Sequence, residues 1–273
     1  MTNNKVYEME YGSFGYRGMS IRYAVRRGKS DALPLLLFNG IGQSIEVLIP
    51  VINALKHQDI VAIDVPGTGK SDTPKLPWRF HHHAKLAAAI LDHLNYPRVN
   101  VVGFSWGGAL AQSFSYHFPE RCEKLVLAAS PPGNLMVPGN LGVYMRMANV
   151  HRFWKKAYMR SVAGYIYGGT IRHSLKEVDK TAQRLIPPTR KGYFYQVATM
   201  YGSANLAWLW RLKQPTLILQ GIDDPMIPNI NARAMAALIP DCRLEYIDCG
   251  HMFILTKLKE ATKMIENFLG TSS

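Results

Sequence analysis

The chain of 273 residues is 48% hydrophobic and has a net charge of +13, which is typical of a globular protein that buries a substantial core. It has no run of about 18 apolar residues, so we expect no transmembrane helix. Residues 1–11 are polar and lack the apolar centre of a secretory signal. Cys122, Cys242 and Cys249 are too few and too scattered for a disulfide framework or a zinc site. These features predict a cytoplasmic protein with reduced thiols.

Short apolar segments alternate with segments of helical periodicity along most of the chain. Continuous apolar runs are typical of strands that are buried on both faces of a parallel sheet. Strands are predicted at residues 33–39, 60–65, 99–104, 125–129, 215–221 and 243–248, and helices at 45–55, 82–94, 108–117, 230–238 and 257–269. The alternation predicts an α/β fold with a mostly parallel, doubly wound sheet.

This alternation is interrupted between residues 131 and 210, which contain 12 of the 29 aromatic residues. Residues 131–213 carry 13 Lys and Arg against two acidic residues, so nearly all the positive excess lies in this part. We predict a mostly helical, basic cap at 131–210, inserted into a core formed by 1–130 and 211–273.

The positive charge of the cap allows several interpretations. A docking face for an anionic or amphiphilic surface would include Arg152, Lys155 and Lys156. An ordinary solvated exterior explains the same charge. We expect no nucleic-acid binding, because the aromatic residues cluster with Met and Leu, as in a packed cap.

Residues 103–107, Gly-Phe-Ser-Trp-Gly, match the pattern G-x-S-x-G. The pattern lies between a predicted strand and a predicted helix, which is the context that a strained nucleophile turn requires. Glycines two residues before and after the serine leave room for the sharp turn. The pattern predicts Ser105 as a nucleophile, and the alternative is a purely structural serine.

A nucleophilic serine needs a base and an orienting acid, which follow later strands in the order Ser, Asp, His. His251 follows the last predicted strand and is the predicted base; the alternative is a loop histidine that caps the next helix. Asp223 and Asp224 both follow the strand at 215–221, and their spacing from its end favours Asp224. No carboxylate follows the strand at 125–129.

Acyl transfer also needs hydrogen-bond donors for a developing oxyanion. The backbone N–H of Trp106, which follows the nucleophile, is one predicted donor. The glycine-containing loop at 38–42 supplies the other, assigned by position to Ile41. Asn39 and Phe104 are predicted to contact substrate, and Asn39 alternatively braces this loop or ends the strand.

Two further motifs suggest ligands that we do not expect. Residues 64–71 lack the first glycine of the phosphate-binding loop pattern, so they predict a structural turn after a strand. His81, His82 and His83 are consecutive, and adjacent helical side chains point about 100° apart. They therefore do not converge on one ion and are expected at a solvated helix start, and we predict no metal and no cofactor.

Several sequence blocks resemble the α/β-hydrolase superfamily, and specifically the intracellular poly(3-hydroxyalkanoate) depolymerases of the medium-chain-length type. The matching blocks are PLLLFNGIG (34–42), DVPGTGKS (64–71), SWGGALAQ (105–112), PERCEKLVLAA (119–129), IYGG (166–169), QPTLILQG (214–221), DDPMIP (223–228) and GHMF (250–253). The resemblance implies about eight strands with an inserted helical cap, and a triad of Ser105, Asp224 and His251.

The resemblance also implies the activity. Members of this family hydrolyse polyester granules inside cells and release 3-hydroxy acids, so a granule surface is an expected partner. Phe104 stands where a smaller apolar residue is common, and the cap diverges most. The alternatives are a small-molecule carboxylesterase, a lactonase or a C–C hydrolase with the same residues, and, in another class, a non-catalytic receptor or granule-coat protein.

Overall fold

A computed structural model describes residues 8–29 and 32–271 of the protein. Most of residues 1–11, where we expect no secretory signal, lies outside the described residues. Within these ranges eight strands form one sheet. In chain order they are β1 (Met9–Tyr16), β2 (Met19–Arg26), β3 (Leu35–Phe38), β4 (Ile60–Ile63), β5 (Val99–Phe104), β6 (Cys122–Ala128), β7 (Thr216–Gly221) and β8 (Cys242–Ile247). Their spatial order is β1-β2-β4-β3-β5-β6-β7-β8.

The sheet is parallel except at its N-terminal edge. Strands β1 and β2 form an antiparallel hairpin, and β2 pairs antiparallel with β4. Arg17 and Gly18 connect the hairpin with positive φ angles of 51° and 74°, as a tight two-residue turn requires. The predicted α/β class and mostly parallel sheet are confirmed, but the predicted strands did not include this hairpin.

Helices cover both faces of the sheet and fill the connections between its strands. They are α1 (Ile45–Ala54), α2 (Phe80–His93), α3 (Trp106–His117), α4 (Leu141–Ala148), α5 (Lys156–Tyr167), α6 (Lys176–Arg184), α7 (Arg190–Tyr201), α8 (Asn229–Leu238), α9 (Phe253–Thr256) and α10 (Leu258–Leu269). Helices α2, α3 and α8 contribute to one hydrophobic cluster, and α1, α9 and α10 contribute to another.

Alternating residues of the central strands supply the two clusters. Leu35 and Leu37 of β3 face one of them, whereas Leu36 and Phe38 face the other. Every residue of β3 is therefore buried. Two-sided burial explains why the sequence of this strand is a continuous apolar run.

The segment between β6 and β7 forms α4 to α7, joined by short turns. The predicted cap boundaries fall after β6 and before β7. The turn after α5 contains the Gly168-Gly169 pair, and the break between α6 and α7 contains Pro187-Pro188. Cap side chains such as Val143, Met159 and Ile166 belong to the same hydrophobic cluster as α1 and α10. This packing holds the cap against the core.

The turn after β4 is organised by a buried carboxylate. Asp64 accepts hydrogen bonds from the backbone N–H of Ile45 (2.8 Å) and Lys70 (3.0 Å) and pairs with Arg22 (3.1 Å). A Cβ at Gly69 would overlap the Asp64 carboxylate. Gly69 therefore serves a turn around Asp64, whereas a Cβ at Gly67 would overlap the backbone of Gly192 in α7.

The three consecutive histidines lie in the first turn of α2. His83 is only 4% exposed and packs between Trp78 and Trp106, with ring centroids 5.3 and 5.4 Å away. The expectation of a solvated helix start is therefore wrong for His83, because the fourth residue of this helix faces the core. Burial lowers the pKa of His83 to about 3, and the neighbouring His82 and His81 contribute.

No helix among the described residues is both long and apolar enough to cross a membrane.

Candidate active site

Ser105 lies at the sharp turn between β5 and α3. Its backbone angles, φ 54° and ψ −122°, are strained for a residue that carries a side chain. A Cβ at Gly103 would overlap the Gly107 carbonyl, and a Cβ at Gly107 would overlap the Phe38 carbonyl. Both glycines are therefore needed for the turn, which holds the Ser105 hydroxyl at the start of α3.

His251 connects Ser105 with Asp224. The Nε2 atom of His251 is 3.0 Å from Ser105 Oγ, and its Nδ1 atom is 2.7 Å from Asp224 Oδ2. A neutral imidazole protonated on Nδ1 satisfies both contacts: it donates to the carboxylate and accepts from the hydroxyl. All three residues are buried. The side chains that we predicted as nucleophile, base and acid thus form one hydrogen-bonded chain.

The Asp224 carboxylate is held on both oxygens. Its Oδ1 accepts from the backbone N–H of Met226 (2.9 Å) and Ile227 (3.0 Å), while Gln220 Nε2 lies 3.3 Å from Oδ2. These donors fix the carboxylate plane toward His251. The strand end at Gly221 places this turn beside the loop that carries His251.

Asp223, the alternative acid, points to the cap. It forms a two-pronged ion pair with Arg172, with both N–O distances 2.9 Å, and accepts from the Gly169 N–H at 2.7 Å. The Arg172 hydrogen bonds lower the pKa of Asp223 from its usual value. The structure therefore brings Asp224, and not Asp223, to His251.

The loop after β3 lies against the Ser105 turn, because Phe38 is paired in register with Gly103. Neither the Ile41 N–H nor the Trp106 N–H, the two predicted oxyanion donors, donates to another residue in the described part of the chain. Both residues line the cavity that contains Ser105. Among the residues that the structure describes, both N–H groups are thus free of other partners beside this cavity, and their role as oxyanion donors stays a prediction.

Asn39 holds the loop rather than facing a cavity. Its Nδ2 donates to the Ser44 carbonyl (2.8 Å), and its Oδ1 accepts from the Gly40 N–H (2.8 Å). These contacts match the alternative in which Asn39 braces the loop. Phe104, the other predicted substrate contact, lines a cavity that also includes Ser105 and His251. The ring centroids of Phe104 and His251 are 5.3 Å apart.

Gln196 of α7 connects the cap with both elements that carry the predicted oxyanion donors. Its Oε1 accepts from the Gly42 N–H (2.6 Å), and its backbone carbonyl accepts from the Trp106 indole (2.9 Å). The sequence analysis missed this residue. A single glutamine on a helix has no pattern that would reveal it.

A second cap segment holds the His251 loop. The Tyr167 carbonyl accepts from the His251 N–H at 2.7 Å, and the two rings are stacked at 6.5 Å. A Cβ at Gly169 would overlap the backbone of Gly250. In the sequence, residues 166–169 (IYGG) match the family pattern, but this match predicts no contact with the His251 loop.

Two cavities meet at Ser105. The large cavity has a volume of about 520 Å³. It is lined by Ile41, Ser105, Trp106, Pro131, Gly133, Asn134, Met136, Pro138, Leu141, Tyr144, Met147, Ala148, Tyr193, Phe194, Val197, Met200, Tyr201, Met226 and Ile227. The small cavity, about 10 Å³, also includes Ser105 and adds His251, Tyr167 and Arg152. The space beside the nucleophile is thus mostly apolar and mostly built by the cap.

Arg152 does not lie on a docking face, so the expectation for this residue is wrong. It is 4% exposed, and its guanidinium donates to the Met147 carbonyl (3.2 Å) and to the Tyr193 hydroxyl (2.9 Å). Lys155 and Lys156 are exposed, as expected. The net charge of a segment does not reveal which of its cations fold inward.

No group of three or more His, Cys, Asp or Glu side chains within the described ranges is arranged to hold a metal ion.

Comparison with known proteins agrees with this architecture. Residues 34–258 match the family described as alpha/beta hydrolase fold. A poly(3-hydroxyalkanoate) depolymerase of Ectopseudomonas oleovorans is 45% identical over 251 residues, which cover 92% of this chain and 89% of the relative. The 3-oxoadipate enol-lactonase 2 of Acinetobacter baylyi is 24% identical over 82% of this chain and 84% of its own.

Solved structures show the same fold at lower identity. The enol-lactonase of Burkholderia xenovorans superposes with a TM-score of 0.82 at 20% identity, covering 95% of this chain and 100% of that one. An esterase of Exiguobacterium antarcticum gives 0.83 at 17% identity, covering 96% and 100%. From the matched span and the 45% identical relative, the chain belongs to the α/β-hydrolase fold family.

Proposed function

We propose that this protein is a serine hydrolase that cleaves the ester bonds of poly(3-hydroxyalkanoate) and releases 3-hydroxy acids. One observation carries the proposal: the Ser105–His251–Asp224 chain opens directly into the large apolar cavity. The relative that is 45% identical over 92% of the chain supports this choice of substrate. No cofactor is needed for the reaction.

The roles of the residues follow from their contacts. His251 takes the Ser105 proton through Nε2 as Oγ attacks the ester carbonyl. Asp224 orients the imidazole and stabilises its cation through the Nδ1 contact. The N–H groups of Ile41 and Trp106 bind the oxyanion, and such a donor is typically worth about 3–4 kcal/mol of transition-state stabilisation.

The remaining steps use the same groups. His251 returns the proton to the alcohol oxygen as the bond between the carbonyl carbon and that oxygen breaks. The acyl group stays on Ser105 Oγ. A water molecule, deprotonated by His251, then attacks the acyl carbonyl, and the free acid leaves as Ser105 regains its proton.

The rim of the large cavity supports a polymeric substrate. Leu141, Phe194 and Tyr201 line the cavity and are 73%, 53% and 69% exposed. An apolar rim of this kind fits an apolar polymer surface better than a dissolved small ester. We therefore propose that the protein contacts polyester granules and is cytoplasmic, as the granules would be.

A small-molecule lactonase is the second candidate, because enol-lactonases are among both the sequence relatives and the structural neighbours. Such an enzyme would act on soluble esters or lactones and leave granules intact. The residues at Ser105, His251 and Asp224 are the same in both cases, so the substrate distinguishes the candidates.

The experiment measures acid release from suspended medium-chain-length polyester granules, beside turnover of p-nitrophenyl octanoate. We expect the wild type to act on both. Ser105→Ala should lower both rates by about 10³- to 10⁶-fold while circular dichroism is retained. Ser113→Ala, which changes a buried serine elsewhere on α3, is the matched control. Turnover of soluble esters with untouched granules would favour the lactonase candidate.

A further inference from the structure

Arg152 is a buried cation at the candidate active site. It lies in the short turn Val150–Phe153 after α4. Its Nε donates to the Met147 carbonyl and its Nη2 to the Tyr193 hydroxyl. The guanidinium also lies 4.1 Å from the centroid of the Phe153 ring. These contacts orient the group but leave its charge unneutralised.

The acidic residues of the cap pair elsewhere. Glu177 pairs with Lys180, and Asp179 pairs with Arg160. Among residues 8–29 and 32–271, no carboxylate lies within ion-pair distance of Arg152. Burying a charge without a counterion is costly, so a buried arginine of this kind is expected to receive an anion.

Arg152 lines two cavities, one of which contains the nucleophile. Arg152 lines the small cavity together with Ser105 and His251. Arg152, Tyr167 and Met252 also line a third cavity of about 140 Å³ beside α5 and α6. Arg152 therefore borders both the space beside the nucleophile and this third cavity.

The small cavity must widen for an anion to contact Arg152. Its present volume of about 10 Å³ is bordered by Met147, Met226 and Met252. Methionine side chains are unbranched and change rotamer easily, so they can open this space with little rearrangement of the backbone.

We propose that Arg152 binds the free carboxylate of the terminal 3-hydroxy acid unit and thereby directs cleavage to the carboxyl end of the polyester. The inference rests on the proposed function. In such a chain the terminal unit is attached through the oxygen on C3, and its carboxylate at C1 is only two carbon atoms further. A cation beside the nucleophile therefore matches a carboxylate on the alcohol side of the scissile ester.

The chemistry balances without a further reactant. Ser105 Oγ bonds to the carbonyl carbon of the preceding unit, and the bond from that carbon to the C3 oxygen breaks. His251 protonates this oxygen, so a free 3-hydroxy acid leaves with its carboxylate on Arg152. Water then hydrolyses the acyl-enzyme. The shortened chain again ends in a carboxylate, so each round recreates the group that Arg152 recognises.

The test compares two soluble substrates, the linear dimer of 3-hydroxyoctanoate and its methyl ester. Charge-assisted hydrogen bonds predict that the wild type cleaves the free acid with a kcat/KM about 10- to 100-fold higher. Arg152→Met should abolish this preference, and Arg152→Lys should retain part of it. Arg160→Met makes the same change at an exposed cap arginine and should leave the preference intact.

The ratio of kcat/KM for the free acid to kcat/KM for the methyl ester separates recognition of the carboxylate from structural damage. A purely structural role for Arg152 would lower both rates equally. A wild-type protein that cleaves both dimers equally well would overturn this inference and leave the proposed function standing. Full preference in Arg152→Met would also overturn it. Cleavage of p-nitrophenyl esters with neither dimer nor granules attacked would refute the proposed function and this inference together.

Discussion

The core and the cap differ in how closely sequence pattern and structure correspond. In the core, Ser105, Asp224 and His251 each follow the end of a parallel strand, so the fold alone brings them to one edge of the sheet. In the cap, helices α4 and α7 and the irregular segment at 131–138 form most of the wall of the large cavity. We therefore expect the core to position the groups that cleave the bond and the cap wall to select the substrate.

The two regions nevertheless share contacts that cross the site. Gln196 binds the loop of Ile41, and Tyr167 binds the loop of His251. Asp223 is a core residue whose partners, Arg172 and Gly169, lie in the cap. Asp224 thus binds His251 in the core, whereas the neighbouring Asp223 binds the cap. Replacing each carboxylate in turn tests whether the two regions have separate roles.

Among the tests of this difference between core and cap, the largest effect is expected from replacing these two carboxylates one at a time. Asp224→Asn removes the charge that stabilises protonated His251, so kcat should fall on the order of 10³- to 10⁴-fold. Asp223→Asn breaks only the contact with Arg172 and should lower kcat less than about tenfold. Steady-state kinetics with p-nitrophenyl octanoate measure both variants, with thermal unfolding to check that each is folded. A larger loss in Asp223→Asn would reverse the assignment of the acid.

A smaller, selective effect is expected from the cavity wall. Val197 of α7 lines the large cavity, so Val197→Trp should shorten the space for an alkyl chain. We expect kcat/KM to fall about 10- to 100-fold for p-nitrophenyl octanoate, while the acetate ester changes less than about threefold. Graded p-nitrophenyl esters provide the measurement.

Ala198→Trp is the matched control for this change, because it adds the same ring at the next, exposed position of α7. It should leave the chain-length profile unaltered. An equal loss on acetate and octanoate in Val197→Trp would mean that the cap supports the site without selecting the substrate.

The core was predictable because its patterns are local and repeated. The apolar run of β5, the two glycines and the following helix all point to one turn at Ser105. The N-terminal hairpin escaped prediction, since β1 is only partly buried and mixes polar residues and glycines with its apolar ones. An edge hairpin of this kind lacks the continuous apolar run that identified the central strands.

The cap resisted prediction because its decisive contacts are long-range. Nothing in the sequence around Arg152 distinguishes it from Lys155 and Lys156, yet it is buried and they are exposed. Its partner Tyr193 lies 41 positions further along the chain. Composition predicted a basic segment, but only the packing of α4, α5 and α7 decides which cation turns inward.

The smallest effect concerns the core alone and should leave substrate choice untouched. Burial lowers the pKa of His83 to about 3, so between that value and about 6.5 the unfolded chain binds a proton that the folded chain does not. Stability should therefore fall as the pH falls through this window, with a limiting slope of about 1.4 kcal/mol per pH unit. His83→Gln should flatten that dependence by about 2 kcal/mol between pH 6.5 and 5 in urea unfolding.

The control is His173→Gln, at an exposed histidine of the cap, which should not flatten the pH dependence of stability. If His83→Gln loses as much stability as the wild type between about pH 6.5 and 5, another group causes the acid sensitivity. If His83→Gln changes the chain-length profile with p-nitrophenyl esters, core and cap are more tightly coupled than their contacts indicate.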